Sequence, residues 1–157
     1  GGDDFGLNWQ PQVSLFDVSD FSHPKLVDSY TVGKEYENGN WYWSYSEAVY
    51  EHKAFQYWGP KQLLAIPVSS YRSWWDYDNY FWEDLSLLDL IKVDTTAGLS
   101  QFGKVDHSSM YDQDSYYAWG NEIRRSVFKG EYIYAISPAG ITSTNLLNLN
   151  LVSRLPL

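Results

Sequence analysis

Hydrophobic and polar positions alternate with a period of two along much of this chain, the spacing expected of strands whose side chains point to opposite faces in turn. Near the C-terminal end, residues 123–128 and 132–136 read as two strands, the second alternating Tyr and Ile, with Lys129-Gly130 as a two-residue hairpin turn between them. Ser137-Pro138-Ala139-Gly140 breaks the run. Residues 141–146 predict a third strand, 147–150 a turn and 151–155 a fourth strand that stops at Pro156, where a ladder donor is lost. Together they form one four-stranded antiparallel meander.

An upstream segment repeats this plan at residues 48–57, 63–68, 85–90 and 99–105, with Trp58-Gly59-Pro60-Lys61 as the first hairpin turn. Ile66 and Ile136, Phe55 and Phe128, and Asp17 and Asp89 occupy matching positions separated by roughly 70 residues, which exceeds the span of a compact blade and requires long connections. Residues 13–17 and 26–32, turning at 20–24, supply only the third and fourth strands of a still earlier unit. Self-similar meanders of this kind predict an all-β fold, a β-propeller fragment of about two and a half blades. The boundaries expected are 1–33 for the outer half of a blade, 34–107 for a full blade carrying an aromatic insertion at 71–84, and 108–157 for a full C-terminal blade. A half-blade leaves sheet edges and apolar faces open, so the remaining blades of a longer parent are expected partners, and open edges also favour homo-oligomers. The opening Gly-Gly-Asp-Asp, with neither an initiator Met nor a signal peptide, is what a processed or excised piece would carry.

Composition narrows the class. The chain of 157 residues is 44% hydrophobic and 20% charged, a globular balance, and no stretch approaches the roughly 18 apolar residues of a membrane helix, so a soluble segment with no direct membrane insertion is expected. Zero cysteines exclude disulfides, zinc–thiolate sites and Cys nucleophiles. The net charge of −9 argues against a nucleic-acid surface, which needs a basic patch to release counterions.

The strings VSLFDVSDFSHPKLVDSYTVG, SYSEAVYEHKAF, QLLAIPVSS and RRSVFKGEYIYAISPAGI, in that order, resemble the C-terminal blades of the secreted β-propeller-domain family of bacteria and archaea. The likeness covers nearly the whole chain. It implies a propeller placed outside the cytoplasm (extracellular, at the cell surface or periplasmic) and implies no particular reaction. This chain departs from the family's phrasing in the aromatic insertion and in Glu51, where Asp usually precedes the His.

Candidate chemistry is sparse. His52, read within the strand 48–57 with Glu47 close enough to orient it, is the best general base by residue type, against a structural reading in which it ties neighbouring loops. His23 and His107 read as turn residues. Arg124 and Arg125 form a basic pair whose adjacent side chains face opposite ways; a carboxylate such as Glu122 or Glu47 would satisfy one of them, with anion binding in the propeller channel as the alternative. Asp76 and Asp78, and likewise Asp112 and Asp114, stand two apart as in calcium loops but lack the following Gly and distal Glu. Asp76, Asp78, Glu83 and Asp84 are the calcium candidates, with solvated loop carboxylates as the competing reading; no other cofactor is suggested.

The insertion contributes Trp74, Trp75, Tyr77, Tyr80 and Trp82, and a second aromatic segment contributes Trp41 and Trp43. Flat apolar rings beside Asp and Asn suit a protein contact, a glycan surface, or a hairpin that buries the rings against its own blade. No phosphate loop, nucleophile elbow or metal-spaced His pair occurs. The expectation is an exported binding or scaffold module for a protein partner, with a glycan-binding lectin or glycan-active enzyme as the alternative.

Overall fold

Two strands of the middle repeat, LLAIPV and LSLLDLI, are nearly continuous in apolar residues, and a strand of that kind is stable only when both of its faces are covered. The computed structural model, which describes residues 10–33, 43–110 and 122–157, shows how they are covered. Its strands are β1 Gln12–Asp17, β2 Lys25–Thr31, β3 Trp43–Tyr45, β4 Gln56–Trp58, β5 Leu63–Asp76, β6 Asn79–Asp94, β7 Gly98–Asp106, β8 Arg125–Lys129, β9 Tyr132–Ser137, β10 Gly140–Asn145 and β11 Leu151–Pro156. They form three antiparallel sheets: a pair β1–β2, a central sheet in which β5–β6–β7 carries both β3 and β4 on the outer edge of β5, and a four-stranded meander β8–β9–β10–β11. The fold is all-β, a β-propeller fragment.

The central sheet is the filling between the other two. Leu63, Ala65, Leu88 and Leu90 pack with Ile133, Ala135, Ile123 and Leu146 on the side of the four-stranded sheet. Leu64, Ile66, Val68 and Ile91 point the other way and close on Val32, Val13 and Tyr30 beside the β1–β2 pair. Alternation along β5 thus serves two cores at once, and each fully buried Leu or Ile contributes about 1.5–3 kcal/mol. At the outer ends of the hairpins Trp58 stacks on Phe128 at 5.4 Å, and Lys61 pairs with Glu131.

Polar ties register the sheets. Asp89, buried within the apolar run of β6, accepts the Gly33 N–H at 3.0 Å, while Lys104 on β7 donates to the Gly33 carbonyl at 2.6 Å and lies 3.6 Å from the Asp89 carboxylate. Gly33 has φ +117°, and a Cβ there would stand 2.7 Å from Ser44 Oγ, so only glycine fits the approach. Asp28 of β2 accepts the Leu99 N–H at 2.7 Å across the same junction.

Three sequence expectations are corrected. Residues 48–57 are not one strand: the chain leaves β3, makes 3-10 turns at Glu47–Val49 and His52–Ala54, and regains the sheet only at β4. Pro67 explains the break, because it offers the outer edge of β5 no N–H, and its carbonyl is taken by the Ser46 hydroxyl. Ser46 and Glu51 each cap the turn that follows, accepting from Ala48 N and Lys53 N. The strands expected at 63–68 and 85–90 do not stop at the insertion, which prolongs β5 and β6 into a ribbon that turns at Tyr77 and Asp78. Finally, Lys129 pairs with Tyr132, so the turn residues of that hairpin are Gly130 and Glu131, one place on from the expected pair.

Replacing Gly33 with Ala is expected to lower unfolding free energy by about 2–4 kcal/mol, since backbone strain and steric overlap add. Gly130→Ala, at a left-handed position where a Cβ meets nothing within 4 Å, should cost only about 1 kcal/mol. Equal losses in urea titrations of the two variants would show that the Gly33 approach does not hold the sheets.

Candidate functional site

Beyond Tyr71 on one strand and Leu87 on the other, β5 and β6 pair only with each other among the described residues, so the ribbon stands out from the central sheet as an arm. Cross-strand ring pairs stiffen it: Trp74 stacks on Phe81 at 5.5 Å and Trp75 tilts against Tyr80 at 5.2 Å. Tyr71 and Tyr80 join through their hydroxyls at 3.2 Å. Trp74 and Trp82 are half-buried, whereas Trp75 is 69% and Tyr77 96% exposed and Tyr80 is also open to solvent. The tip rings Trp75, Tyr77 and Tyr80 are therefore not buried against the sheet, while Trp74 and Trp82 are partly covered. Asp76 pairs with Asn79 at the tip while Glu83 and Asp84 pair with Arg72 and Tyr71 near the base, about 13 Å or more along the ribbon. Among the described residues no three His, Cys, Asp or Glu side chains converge as a metal site. Trp41, Asp112 and Asp114 lie outside the described residues.

At the base of the arm lies a cavity of about 690 Å³. Trp43, Tyr45, Tyr50 and Tyr71 contribute to its walls, and Asp84 and Glu122 are the charged groups that line it. Asp84 is held above the usual carboxylate range by burial and by the negative charge of Glu122. Burial and the same Glu122 carboxylate push the Tyr45 phenol up to about 12, so it is neutral at any ordinary pH. Among the described residues Glu122 Oε2 is buried without a hydrogen-bond partner, and the nearest cation, Arg124, reaches it only at 3.8 Å.

The basic pair sits behind this cavity. Arg124 donates to Glu47 Oε2 at 2.8 Å, which raises its already high pKa and joins the first 3-10 turn of the central sheet to the start of β8. Arg125 turns the other way, donating to the Arg124 carbonyl at 2.7 Å and approaching Glu51 at 3.6 Å. Both carboxylates named for these arginines in the sequence, Glu47 and Glu122, are the ones that meet Arg124. His52 differs from its expected setting: it lies on a 3-10 turn rather than a strand face, its side chain is 88% exposed, and its neighbour at 3.5 Å is Glu51, while Glu47 is engaged elsewhere. His23 is a surface turn residue hydrogen-bonded to Asp20.

His107 is the residue whose importance its loop position concealed. It follows β7, is fully buried, and its Nδ1 and Nε2 each lie 2.9 Å from a hydroxyl of the four-stranded sheet, Thr142 and Ser137. Its N–H donates to the Ser86 carbonyl at 2.8 Å, and the Ser86 hydroxyl accepts the Ile123 N–H at 3.3 Å, so one wall residue of the cavity is tied to both sheets. Burial drives the imidazole down to about 4, with Asp106 opposing the shift. A hydroxyl-rich strand facing a histidine was the available signal, but the pairing across about 30 residues is invisible to local pattern.

The family model described as a Beta propeller domain matches residues 4–149. No curated protein and no solved structure matches the chain.

Because His107 titrates at about 4 when folded and near 6.5 when unfolded, the unfolded chain takes up the extra proton between those values. Stability should be complete above pH 6.5 and fall toward pH 4, by at most about 1.4 kcal/mol per pH unit. Carboxylates such as Asp28 and Asp94, held low by backbone N–H donors, add a separate loss at still lower pH. Chemical denaturation across this range should show the upper limb flatten in His107→Gln; an unchanged slope refutes the assignment.

Proposed function

The chain belongs to the Beta propeller domain family, and on that premise we propose that it is a non-catalytic binding module whose exposed aromatic arm takes hold of a protein partner. The observation that carries this reading is the arm itself, a two-stranded ribbon presenting Trp75, Tyr77 and Tyr80 to solvent beyond the last described strand that shares its sheet. Rigid Tyr and Trp side chains lose little conformational entropy on contact and supply most of the energy in protein interfaces. An exported location rests on the resemblance of SLFDVSD, EHKAF and RRSVF to secreted propellers. Asp78 and Asn79 beside those rings favour a glycan as the second reading. Open apolar positions such as Phe16 and Leu26 on the β1–β2 pair, and Val152 and Leu155 on β11, suit the stacking of further sheets, from a longer parent chain or from a second copy.

The test compares the chain with a variant carrying Trp75→Ala, Tyr77→Ala and Tyr80→Ala. Secreted proteins of the source cells retained by the first should be released at least about tenfold more readily by the second, while the thermal midpoint moves little. Retention unchanged by the three substitutions would overturn the reading, and arm-dependent binding to a glycan array would replace it with the second.

A further inference from the structure

The cavity at the base of the arm has a chemistry of its own. Its volume, about 690 Å³, lies within the range of small-ligand sites. Trp43 and Tyr50 reach it from exposed positions, so their rings are not spent on the core. Four of the five described serine hydroxyls on its walls are committed to other bonds: Ser44 and Ser70 to each other at 2.8 Å, Ser46 to the Pro67 carbonyl, and Ser86 to the Ile123 N–H. The described lining residues include no Lys, Arg or His. Arg124, the closest described cation to Glu122, is engaged by Glu47 at 2.8 Å. Among the described residues the wall therefore combines aromatic rings with two carboxylates that repel each other and lack a full counter-charge.

Such a combination is complementary to one ligand class. A cation with an apolar body gains from the ring quadrupoles and relieves the repulsion between the carboxylates, while a neutral sugar finds few uncommitted hydroxyls to bond. We propose that the cavity formed by Trp43, Tyr45, Tyr50 and Tyr71 around Asp84 and Glu122 binds an organic cation, an alkylated ammonium or a guanidinium group. The cation arrives either as a free small molecule or as a basic side chain of a peptide. This site is separate from the exposed tip of the arm and does not depend on what the tip binds.

Calorimetric titration of the whole chain at low salt tests the proposal with defined probes. Choline and its neutral carbon isostere 3,3-dimethylbutan-1-ol separate charge from shape, and acetyl-arginine amide against an arginine-containing peptide separates a free ligand from a side chain. At least one cationic probe should bind about tenfold or more tightly than the isostere, and Asp84→Asn and Trp43→Ala should each weaken it by about fivefold or more. Tighter binding of the peptide than of acetyl-arginine amide identifies a side-chain source; the reverse, or choline as the best ligand, identifies a free one. Trp75→Ala, at the far end of the arm, should leave cation binding unchanged even where it abolishes partner retention. Glu122→Gln provides a second carboxylate variant, with the thermal midpoint recorded for each protein. Equal binding of choline and the isostere, binding of a neutral oligosaccharide in preference to any cation, no binding by any probe, or full affinity in folded Asp84→Asn and Glu122→Gln would each overturn the proposal.

Discussion

Burial of both faces of the central sheet is the constraint on which the remaining structure depends. β5 sends Leu63 and Ala65 into one core and Leu64, Ile66 and Val68 into the other, so a shift of one residue in its register would exchange the two cores wholesale. The outer sheets are consequently fixed relative to the centre by packing on opposite sides of the same strand. Everything at the sheet ends, including the arm and the cavity, inherits its position from that strand.

Apolar packing alone would allow sheets to slide, and the polar ties remove that freedom. Asp89, Lys104 and Gly33 join the central sheet to the segment after β2, and Asp28 reaches the Leu99 N–H nearby. On the opposite face His107 spans to Ser137 and Thr142. Hydrogen bonds are directional where the hydrophobic effect is not, so a few buried polar groups select one register among many that bury similar area.

The same division of labour shapes the candidate binding region. Pro67 interrupts the edge of β5, the chain makes two capped turns in place of a continuous strand, and those turns bring Glu47 to Arg124 and Tyr50 to the cavity. Beyond this interruption β5 and β6 continue as a ribbon. A break in one strand and an overrun in two others thus open a hollow between rigid walls, while the aromatic tip is carried clear of it.

The meanders, the doubled apolar strands and the aromatic insertion could all be read from local sequence, because period-two alternation and Gly or Pro punctuation act over a few residues. Arg124 and its carboxylate partners Glu47 and Glu122 were also legible as charge types in reach of one another, whereas Glu51 beside Arg125 was not. The broken first strand was not, since its cause is Pro67, some twenty residues away and opposite it only after the sheet forms. Nor did the loop position of His107 reveal its burial, or the lone Asp in LSLLDLI its partner at Gly33. By itself the sequence determined where most of the strands lie, the segment 48–57 excepted, and that one blade carries an aromatic extension. Only the tertiary structure decided that the extension projects as an arm and that Trp43, Tyr71, Asp84 and Glu122 surround one cavity, because those contacts join sheet edges distant in the chain and arise from packing rather than local propensity.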